Sequence, residues 1–216
     1  MSARRVSAIV LAGGRSSRFG RDKLAEPIGG RPLLLHAIDA VRQVASEVLV
    51  VVAPDAAPPG PFPPDAAPPY AAPPGPPVLT TPGVIVVRDE TPFQGPLAGL
   101  LAGLEAAHEQ AVLVVGGDMP DLLRQVIDLL LDELAAPGVE VVVLEHDGRA
   151  RPLPMVVRRD PALAAVTRLI AGGERRLRAL TIALTTTVIA EATWRAMDPE
   201  ARSIRDIDTP DDLRQL

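Results

Sequence analysis

The amino-acid sequence predicts an α/β protein in which a mostly parallel sheet is connected by helices. Short apolar runs rich in β-branched residues alternate along the chain with longer segments of helical periodicity. The short runs are continuously apolar, as expected of strands that are buried on both faces of a sheet. With 216 residues, of which 47% are hydrophobic and 23% charged, the chain has the size and composition of a globular domain with its own core.

The predicted elements follow one another in a regular order. Strands are predicted at Val6–Leu11, 48–52, 84–87, 111–115, 139–144 and 152–158, and helices at 33–45, 97–108, 122–135, 161–171 and 174–182. A last short helix is predicted to begin at Thr209, where a proline and Asp212 follow in the positions of a capping box. In open α/β sheets ligands bind beyond the carboxyl ends of the strands, so the loops after residues 11, 52, 87 and 115 should carry the chemistry.

A proline-rich segment interrupts this pattern. Twelve of the 24 prolines lie between positions 54 and 77. Because proline lacks the N–H that helices and sheets require, we expect an extended surface insertion at about 54–83 of a single domain that spans 1–216. Two interpretations are open for it: an inert loop, which costs little because loop entropy grows slowly with length, and a docking site for a proline-binding partner.

The composition excludes several classes of function. Cysteine is absent, which removes disulfides, thiolate metal sites and cysteine nucleophiles. The net charge of −5 gives no overall basic field for nucleic acid or anionic membranes, and 2% aromatic residues provide no platform for stacking bases. No apolar run approaches the roughly 20 residues that span a bilayer, and the N-terminus has no export-signal pattern. We therefore expect a cytoplasmic protein without nucleic-acid or membrane partners.

The loop after the first predicted strand combines glycine with positive charge. Gly13 and Gly14 permit positive φ and allow backbone N–H groups to approach a ligand closely. The basic residues that follow are Arg15, Arg18, Arg21 and Lys23. This spacing matches neither the P-loop nor the dinucleotide fingerprint. A polyphosphate would satisfy both features, so we favour a phosphate-binding loop over the alternative, a turn whose arginines face water.

Acidic residues follow two other predicted strands. Asp118 comes after two glycines, where a carboxylate can hold a Mg²⁺ ion that bridges to substrate phosphates; the alternative is a cap for the helix that begins near Pro120. Asp89 holds the equivalent place after the strand at 84–87 and is a weaker candidate. Two acids that face one basic loop form the arrangement that a metal–nucleotide complex needs.

Taken in order, these motifs resemble those of the molybdenum cofactor guanylyltransferases, nucleotidyltransferases with a Rossmann-like, three-layer fold. The segments that carry the resemblance are 11–14 with 18–23, 30–33, 95–99, 118–120, 171–176 and 206–213. It covers the chain from about Val6 to the C-terminus, apart from the proline-rich segment. The first of these segments is common to many sugar and cofactor nucleotidyltransferases, and the later ones narrow the family.

The resemblance implies transfer of GMP from Mg-GTP to molybdenum-loaded molybdopterin, with release of pyrophosphate. It also implies molybdoenzymes or their chaperones as partners. Nucleotide binding would fall to Leu11, Ala12, Gly13, Gly14, Lys23, Asp89 and Asp118. Asp118 would hold the Mg²⁺ ion, and Arg18 and Lys23 would stabilise the charge that develops on phosphate oxygens.

Three residues depart from the family pattern. Ala53 stands where some relatives place an asparagine that reads guanine, and Asp206 and Asp208 replace the asparagines of a late Asn-x-Asn-Thr-Pro motif. Two alternatives are therefore retained. One is the same chemistry on another base or acceptor, as in a cytidylyltransferase or a sugar-phosphate nucleotidyltransferase. The other is a non-catalytic nucleotide-binding adaptor that holds a partner through the proline-rich segment.

Overall fold

A computed structural model of the chain describes residues 5–13, 23–53, 83–89, 95–209 and 212. The strands are β1 (Val6–Leu11), β2 (Pro27–Ile28), β3 (Arg31–Pro32), β4 (Glu47–Val52), β5 (Val84–Arg88), β6 (Ala111–Gly116), β7 (Val141–His146), β8 (Arg149–Arg158) and β9 (Thr186–Ile189). The helices are α1 (Leu33–Arg42), α2 (Pro96–Ala106), α3 (Arg124–Leu134), α4 (Arg159–Ala171), α5 (Leu180–Ala183) and α6 (Glu191–Arg195). Short 3-10 turns lie at Lys23–Ala25, Leu177–Ala179 and Arg202–Ile204.

Seven of the strands form one sheet in the order β5-β4-β1-β6-β8-β7-β9, and β2 pairs with β3 in a small hairpin. Strands β5, β4, β1 and β6 run parallel to one another, and β9 is parallel to β7. Strand β8 is antiparallel to both β6 and β7. The predicted α/β class with a mostly parallel sheet is confirmed. Because β8 runs in the opposite direction, its first residues share a rim with the last residues of β1, β6 and β7.

Helices cover both faces of this sheet, which gives three layers. On one face, α1 and α3 pack against the strands through a buried cluster that includes Leu34, Ile38 and Leu130. On the other face, α2 and α4 form a second cluster that includes Leu100 and Ala165. Alternate residues of each central strand enter the two clusters, as the period of two predicts. This double burial explains the continuously apolar runs in the sequence.

Helix α2 approaches the sheet closely because of one glycine. A Cβ built on Gly103 would lie 2.8 Å from Cγ2 of Ile9 on β1. Real Cβ atoms do not pack at that distance, so any larger residue here would push the helix away from the sheet. The start of α2, at the same rim as the end of β1, is thereby held near the strand ends.

The C-terminal part of the chain differs from the prediction. The helix predicted at 174–182 is wrong in its first half: the Glu174 carboxylate accepts the N–H groups of Arg175 and Arg176, at 2.8 and 3.0 Å, and holds them outside a helix. Strand β9 and helix α6 were not predicted, because a four-residue strand and a five-residue helix carry little periodicity.

Two further expectations concern the ends of the described ranges. The capping contacts predicted at Thr209 are present: its N–H donates to Oδ2 of Asp212 at 2.7 Å, and the Asp212 N–H donates to Oγ1 of Thr209 at 3.3 Å. The proline-rich segment at 54–77 lies outside the described residues. Within the described part of the chain, no helix combines the length and apolar character that crossing a bilayer requires.

Candidate active site

The loops that follow three neighbouring strands meet at the carboxyl rim of the sheet. The Gly117 N–H, just after β6, donates to the carbonyl of Leu11 at 2.9 Å, and the Ala12 N–H donates to the carbonyl of Val51 at 2.8 Å. A Cβ on Gly13 would lie 3.4 Å from the backbone nitrogen of Ala53. The absence of a side chain at Gly13 therefore lets the loop after β1 run directly over the end of β4.

Lys23 projects its ammonium group into the centre of this rim. Its neighbour Leu24 is buried and anchors the turn that carries it. The Nζ atom donates to Oδ2 of Asp118 at 2.6 Å, to the backbone carbonyl of Ile207 at 3.0 Å and to Oδ1 of Asp208 at 3.2 Å. An ammonium group has three N–H donors, so these contacts use all of them. Lys23 thus joins the loop after β6 to the late 206–208 segment.

Two opposing effects act on the Lys23 pKa. Burial acts to lower it, because the charged form loses water. The hydrogen bond and the charge of Asp118 act in the other direction, and Asp208 adds a smaller contribution. The attraction outweighs burial, so the pKa is raised above its ordinary value and the group is a cation throughout the neutral range.

Asp118 is held by its backbone as well as by Lys23. Its carbonyl accepts the N–H of Ile207 at 3.0 Å, which fixes the late segment against the end of β6. A Cβ built on Gly116 would collide with Oδ1 of Asp118. The carboxylate therefore occupies space that exists only because residue 116 is glycine.

Replacing Gly116 with alanine is expected to move the Asp118 carboxylate without unfolding the protein. The clashing atom is the end of a side chain that can rotate. We therefore expect the free energy of unfolding to fall by about 1–2 kcal/mol, at the low end of the usual cost of overpacking. Turnover should fall by about 100-fold, the scale of a displacement of about 1 Å at a reacting centre. Thermal unfolding and initial rates measure the two effects. The control is Gly138→Ala, at a turn before the start of β7 and at the opposite end of the sheet from the rim: its positive φ of +77° should cost a similar amount of stability, roughly 1–2 kcal/mol, but turnover should stay at the wild-type level. Full activity in Gly116→Ala would contradict this account of the carboxylate.

A second ion pair borders the first. Arg151, near the start of β8, donates through Nη2 to Oδ2 of Asp206 at 3.0 Å and to the carbonyl of Ile204 at 3.3 Å. Burial and the negative charge of Asp118 together raise the pKa of Asp206 to about 6, and the positive charge of Arg151 opposes the shift. Among the described side chains of these two ion pairs and Asp208, three acidic groups and two basic groups leave one negative charge when all are ionised. A cation is the ligand that such a balance favours.

Asp206→Asn is expected to raise the stability of the protein more at pH 7.5 than at pH 4. The folded-state pKa of about 6 lies above the unfolded value, so the folded wild type binds more protons between about pH 4 and 6 and loses stability as the pH rises through that range. An asparagine does not ionise and escapes this loss. Urea unfolding of both proteins at the two pH values measures it. A stability difference that is equal at both, or larger at pH 4, would be inconsistent with the shift.

The remaining sequence-predicted residues fall into two groups. Leu11, Ala12 and Gly13 lie at the rim beside the site, whereas Gly14 and Arg18 lie outside the described residues. Asp89 lies at the same rim, with its N–H on the carbonyl of Val52 at 3.0 Å. It follows the edge strand β5, three strand spacings or about 14 Å from the strand that leads to Asp118. The structure therefore brings Lys23 and Asp118 together and leaves Asp89 apart from them.

One contributor to the site was missed by sequence reasoning, and one signal was overlooked. Arg151 lies one residue before the strand predicted at 152–158 and has no role in the predicted site. The signal is that Lys23 is the only lysine in the sequence, whereas 21 of the 22 basic residues are arginine. A chain that otherwise uses arginine throughout has its lysine at a position where three acceptors converge on a single nitrogen.

Comparison with known proteins gives the family of this site. Residues 8–187 match the MobA-like NTP transferase domain. The chain belongs to the MobA-like NTP transferase family. A relative from Chloroflexus aggregans named "Probable molybdenum cofactor guanylyltransferase" is 36% identical, over 97% of this chain and 92% of its own length. A relative of the same name from Mycobacterium avium is 35% identical, over 98% and 94%.

Solved structures of MobA-like and related proteins share the fold. Molybdopterin-guanine dinucleotide biosynthesis protein A from Archaeoglobus fulgidus superposes with a TM-score of 0.71 at 22% identity, over 98% of this chain and 96% of its own. The 2-C-methyl-D-erythritol 4-phosphate cytidylyltransferase from Thermus thermophilus gives 0.62 at 22% identity, over 98% and 97%. At these identities the likeness concerns the fold alone. The predicted nucleotidyltransferase fold is confirmed.

Proposed function

We propose that the protein transfers GMP from Mg-GTP to molybdenum-loaded molybdopterin and so forms the guanine dinucleotide form of the cofactor. The observation that carries the chemistry is the contact of Lys23 with Asp118 at the carboxyl rim of the sheet, where the loops after β1, β4 and β6 meet. The base and the acceptor rest on relatives that are 35–36% identical over nearly the whole chain and share the guanylyltransferase name. These relatives give no support to a cytidylyltransferase, a sugar-phosphate nucleotidyltransferase or a non-catalytic adaptor.

The transfer needs no nucleophile from the protein. An oxygen of the acceptor phosphate forms a bond to the α-phosphorus of GTP, the bond from that phosphorus to the bridging oxygen breaks, and pyrophosphate leaves with the electron pair. The protein contributes position and charge. Lys23 would offer its ammonium group to the oxygens that gain charge, and the backbone around Ala12 and Gly13 would lie along the nucleotide.

The residues at this rim fit a Mg²⁺ ion. The Lys23 ammonium contacts one oxygen of Asp118 and one of Asp208, at 2.6 and 3.2 Å, and each carboxylate has a second oxygen that can face a cation bound beside the lysine. Carboxylate oxygens are the hard ligands that Mg²⁺ prefers. Asp118 would hold the ion, with Asp208 beside it. When bound, the ion neutralises charge on the phosphates of the nucleotide.

The acceptor would approach from the side of the 172–176 loop. This loop contacts the start of α2, where the Leu97 N–H donates to the carbonyl of Arg175 at 3.3 Å. A Cβ on Gly95 would lie 2.9 Å from that same oxygen, so glycine permits the contact. Arg176, the residue after Arg175, is exposed and would supply a positive charge for an anionic acceptor. This acceptor-side role of the loop is a proposal, as are the cytoplasmic location and the molybdoenzyme or chaperone partners.

Pyrophosphate release with each of the four ribonucleoside triphosphates, with and without molybdenum-loaded molybdopterin, tests the proposal. We expect release from GTP, dependent on both the acceptor and Mg²⁺. Release from CTP instead would assign the base differently, and release from GTP that needs a sugar phosphate would assign the acceptor differently. Nucleotide binding without release under any of these conditions would support a non-catalytic adaptor and overturn the proposal.

A further inference from the structure

Arg151 is bound to the late segment of the site from the opposite side to Lys23. It lies on β8 opposite Leu144 of β7, at the rim where the parallel strands end. Its side chain is about one third exposed, and Nη2 donates to the Asp206 carboxylate and the Ile204 carbonyl. The Nε atom is buried and has no hydrogen-bond partner within the described part of the chain. A buried donor without a partner costs free energy, so the contacts that Nη2 makes must offset this cost.

The segment that Arg151 holds has no regular secondary structure of its own. Residues 205–208 form neither helix nor strand. The buried side chains of Ile204 and Ile207 anchor the segment in the core. Its backbone meets the site at Ile207, whose N–H donates to Asp118 and whose carbonyl accepts from Lys23, both at 3.0 Å. The geometry of Lys23 therefore depends on where this segment lies.

Electrostatics gives this segment a reason to move when Arg151 is absent. Asp206 is the residue before Ile207, and its carboxylate is repelled by the negative charges of Asp118 and Asp208. Arg151 opposes that repulsion. Without the guanidinium group, an ionised Asp206 would lie among like charges and would lose the ion pair that holds it in place. The segment would then relax away from the rim and take two of the three acceptors of Lys23 with it.

We propose that Arg151 is a positioning residue for nucleotidyl transfer, which fixes the 204–208 segment through Asp206 and Ile204 and thereby sets the place of the Lys23 ammonium. The proposal rests on the proposed function for its catalytic consequence. The positioning itself concerns the ligand-free protein and can be measured without any substrate.

The single lysine of the chain makes the positioning directly observable. Incorporation of ¹⁵Nζ-labelled lysine gives one side-chain ammonium signal, that of Lys23, whose proton exchange with water is slow while its hydrogen bonds hold. In Arg151→Met we expect the exchange to accelerate by at least about tenfold, because contacts to Ile207 and Asp208 are lost. Loss of a nearby positive charge alone would make the surroundings more negative, repel hydroxide and slow the exchange. Faster exchange therefore indicates lost hydrogen bonds, and slower exchange indicates the change in charge alone. Arg149→Met, on the same strand at an exposed position, should leave the signal unchanged.

Turnover is measured on the same variants, with circular dichroism and thermal unfolding to establish that each folds. Arg151→Met should lower kcat/KM for GTP by about 10- to 100-fold, the scale of a displaced catalytic group. Arg151→Lys keeps the charge and should recover part of this loss. The double variant Arg151→Met with Asp206→Asn removes the repulsion as well, and should exchange more slowly and turn over faster than Arg151→Met alone.

Three results would overturn the proposal. The first is unchanged or slower ammonium exchange in a folded Arg151→Met protein. The second is a double variant no better than Arg151→Met. The third is a loss confined to KM for the acceptor with the Lys23 signal unchanged, which would make Arg151 a direct acceptor contact. If no variant, including the wild type, uses GTP while the exchange behaves as expected, the proposed function fails and the positioning role stands.

Discussion

Asp118→Asn is expected to lower Mg²⁺-dependent nucleotidyl transfer by about three orders of magnitude, which corresponds to about 4 kcal/mol of transition-state stabilisation. Asparagine has the shape of aspartate and can still accept a hydrogen bond from Lys23, so the fold should change little. It lacks the negative charge that would hold the cation. Initial rates across a range of Mg²⁺ concentrations measure the loss, and the concentration for half-maximal rate should rise as well.

Asp121→Asn is the matched control for this variant. Asp121 lies three residues further along the same loop, is similarly exposed, and its described ion pair is with Arg205 at 4.0 Å. It contacts neither Lys23 nor the strand ends, so we expect a rate within about twofold of the wild type, since a long, exposed ion pair contributes little. An unimpaired rate in Asp118→Asn, or an equal loss in both variants, would remove Asp118 from the mechanism.

Lys23→Arg should be nearly as damaging as Lys23→Ala, with a loss of about 100-fold in kcat/KM. The three acceptors of Lys23 come from Asp118, Ile207 and Asp208 and converge on one nitrogen. A guanidinium group is planar and spreads its donors over three nitrogens, so it cannot reproduce this convergence. Charge is conserved in this variant, which makes it a test of geometry.

Nucleotide binding by calorimetry gives the second readout for these variants. Because the ammonium is proposed to meet the outer phosphates, Lys23→Ala should weaken GTP binding more than GMP binding. Arg5→Lys is the control: Arg5 is exposed just before the start of β1, at the opposite end of the sheet from the rim, and pairs with Glu109 at 3.9 Å. Equal weakening of GTP and GMP would contradict the placement of Lys23, and wild-type turnover in Lys23→Arg would contradict the requirement for convergent donors.

Much of the fold was predictable because its signal is local. Five strands of the sheet carry continuous β-branched runs: β1, β4, β5, β6 and β7. Each of the long helices is predicted by its own periodicity. Strand β9 and helix α6 were not predictable, since their stability comes from neighbours such as β7 and not from their own sequence. The failed half of the helix at 174–182 shows the same limit: Glu174 binds two backbone N–H groups and replaces a helical turn.

The site was predictable only in part, for a related reason. The convergence of Lys23 and Asp118 follows from the rule that parallel strands end at one rim. The contribution of Arg151 does not, because it depends on β8 running antiparallel to both neighbours. No periodicity in the sequence gives strand direction. Arg151 and Asp206 are 55 residues apart in the sequence, so their ion pair is a long-range tertiary contact that local sequence patterns do not predict.

The full occupation of the Lys23 ammonium has a consequence for ligand selection. Because the three protons of the Lys23 ammonium are already hydrogen-bonded, an incoming phosphate can bind Lys23 only by displacing one of its acceptors. A displaced carboxylate must then pair with another positive group. Inorganic phosphate brings no such partner and should compete poorly. A metal-bound triphosphate brings oxygens for the lysine and a cation for the acid in the same molecule. The site therefore favours a ligand that carries both an anion and a cation over a single anion.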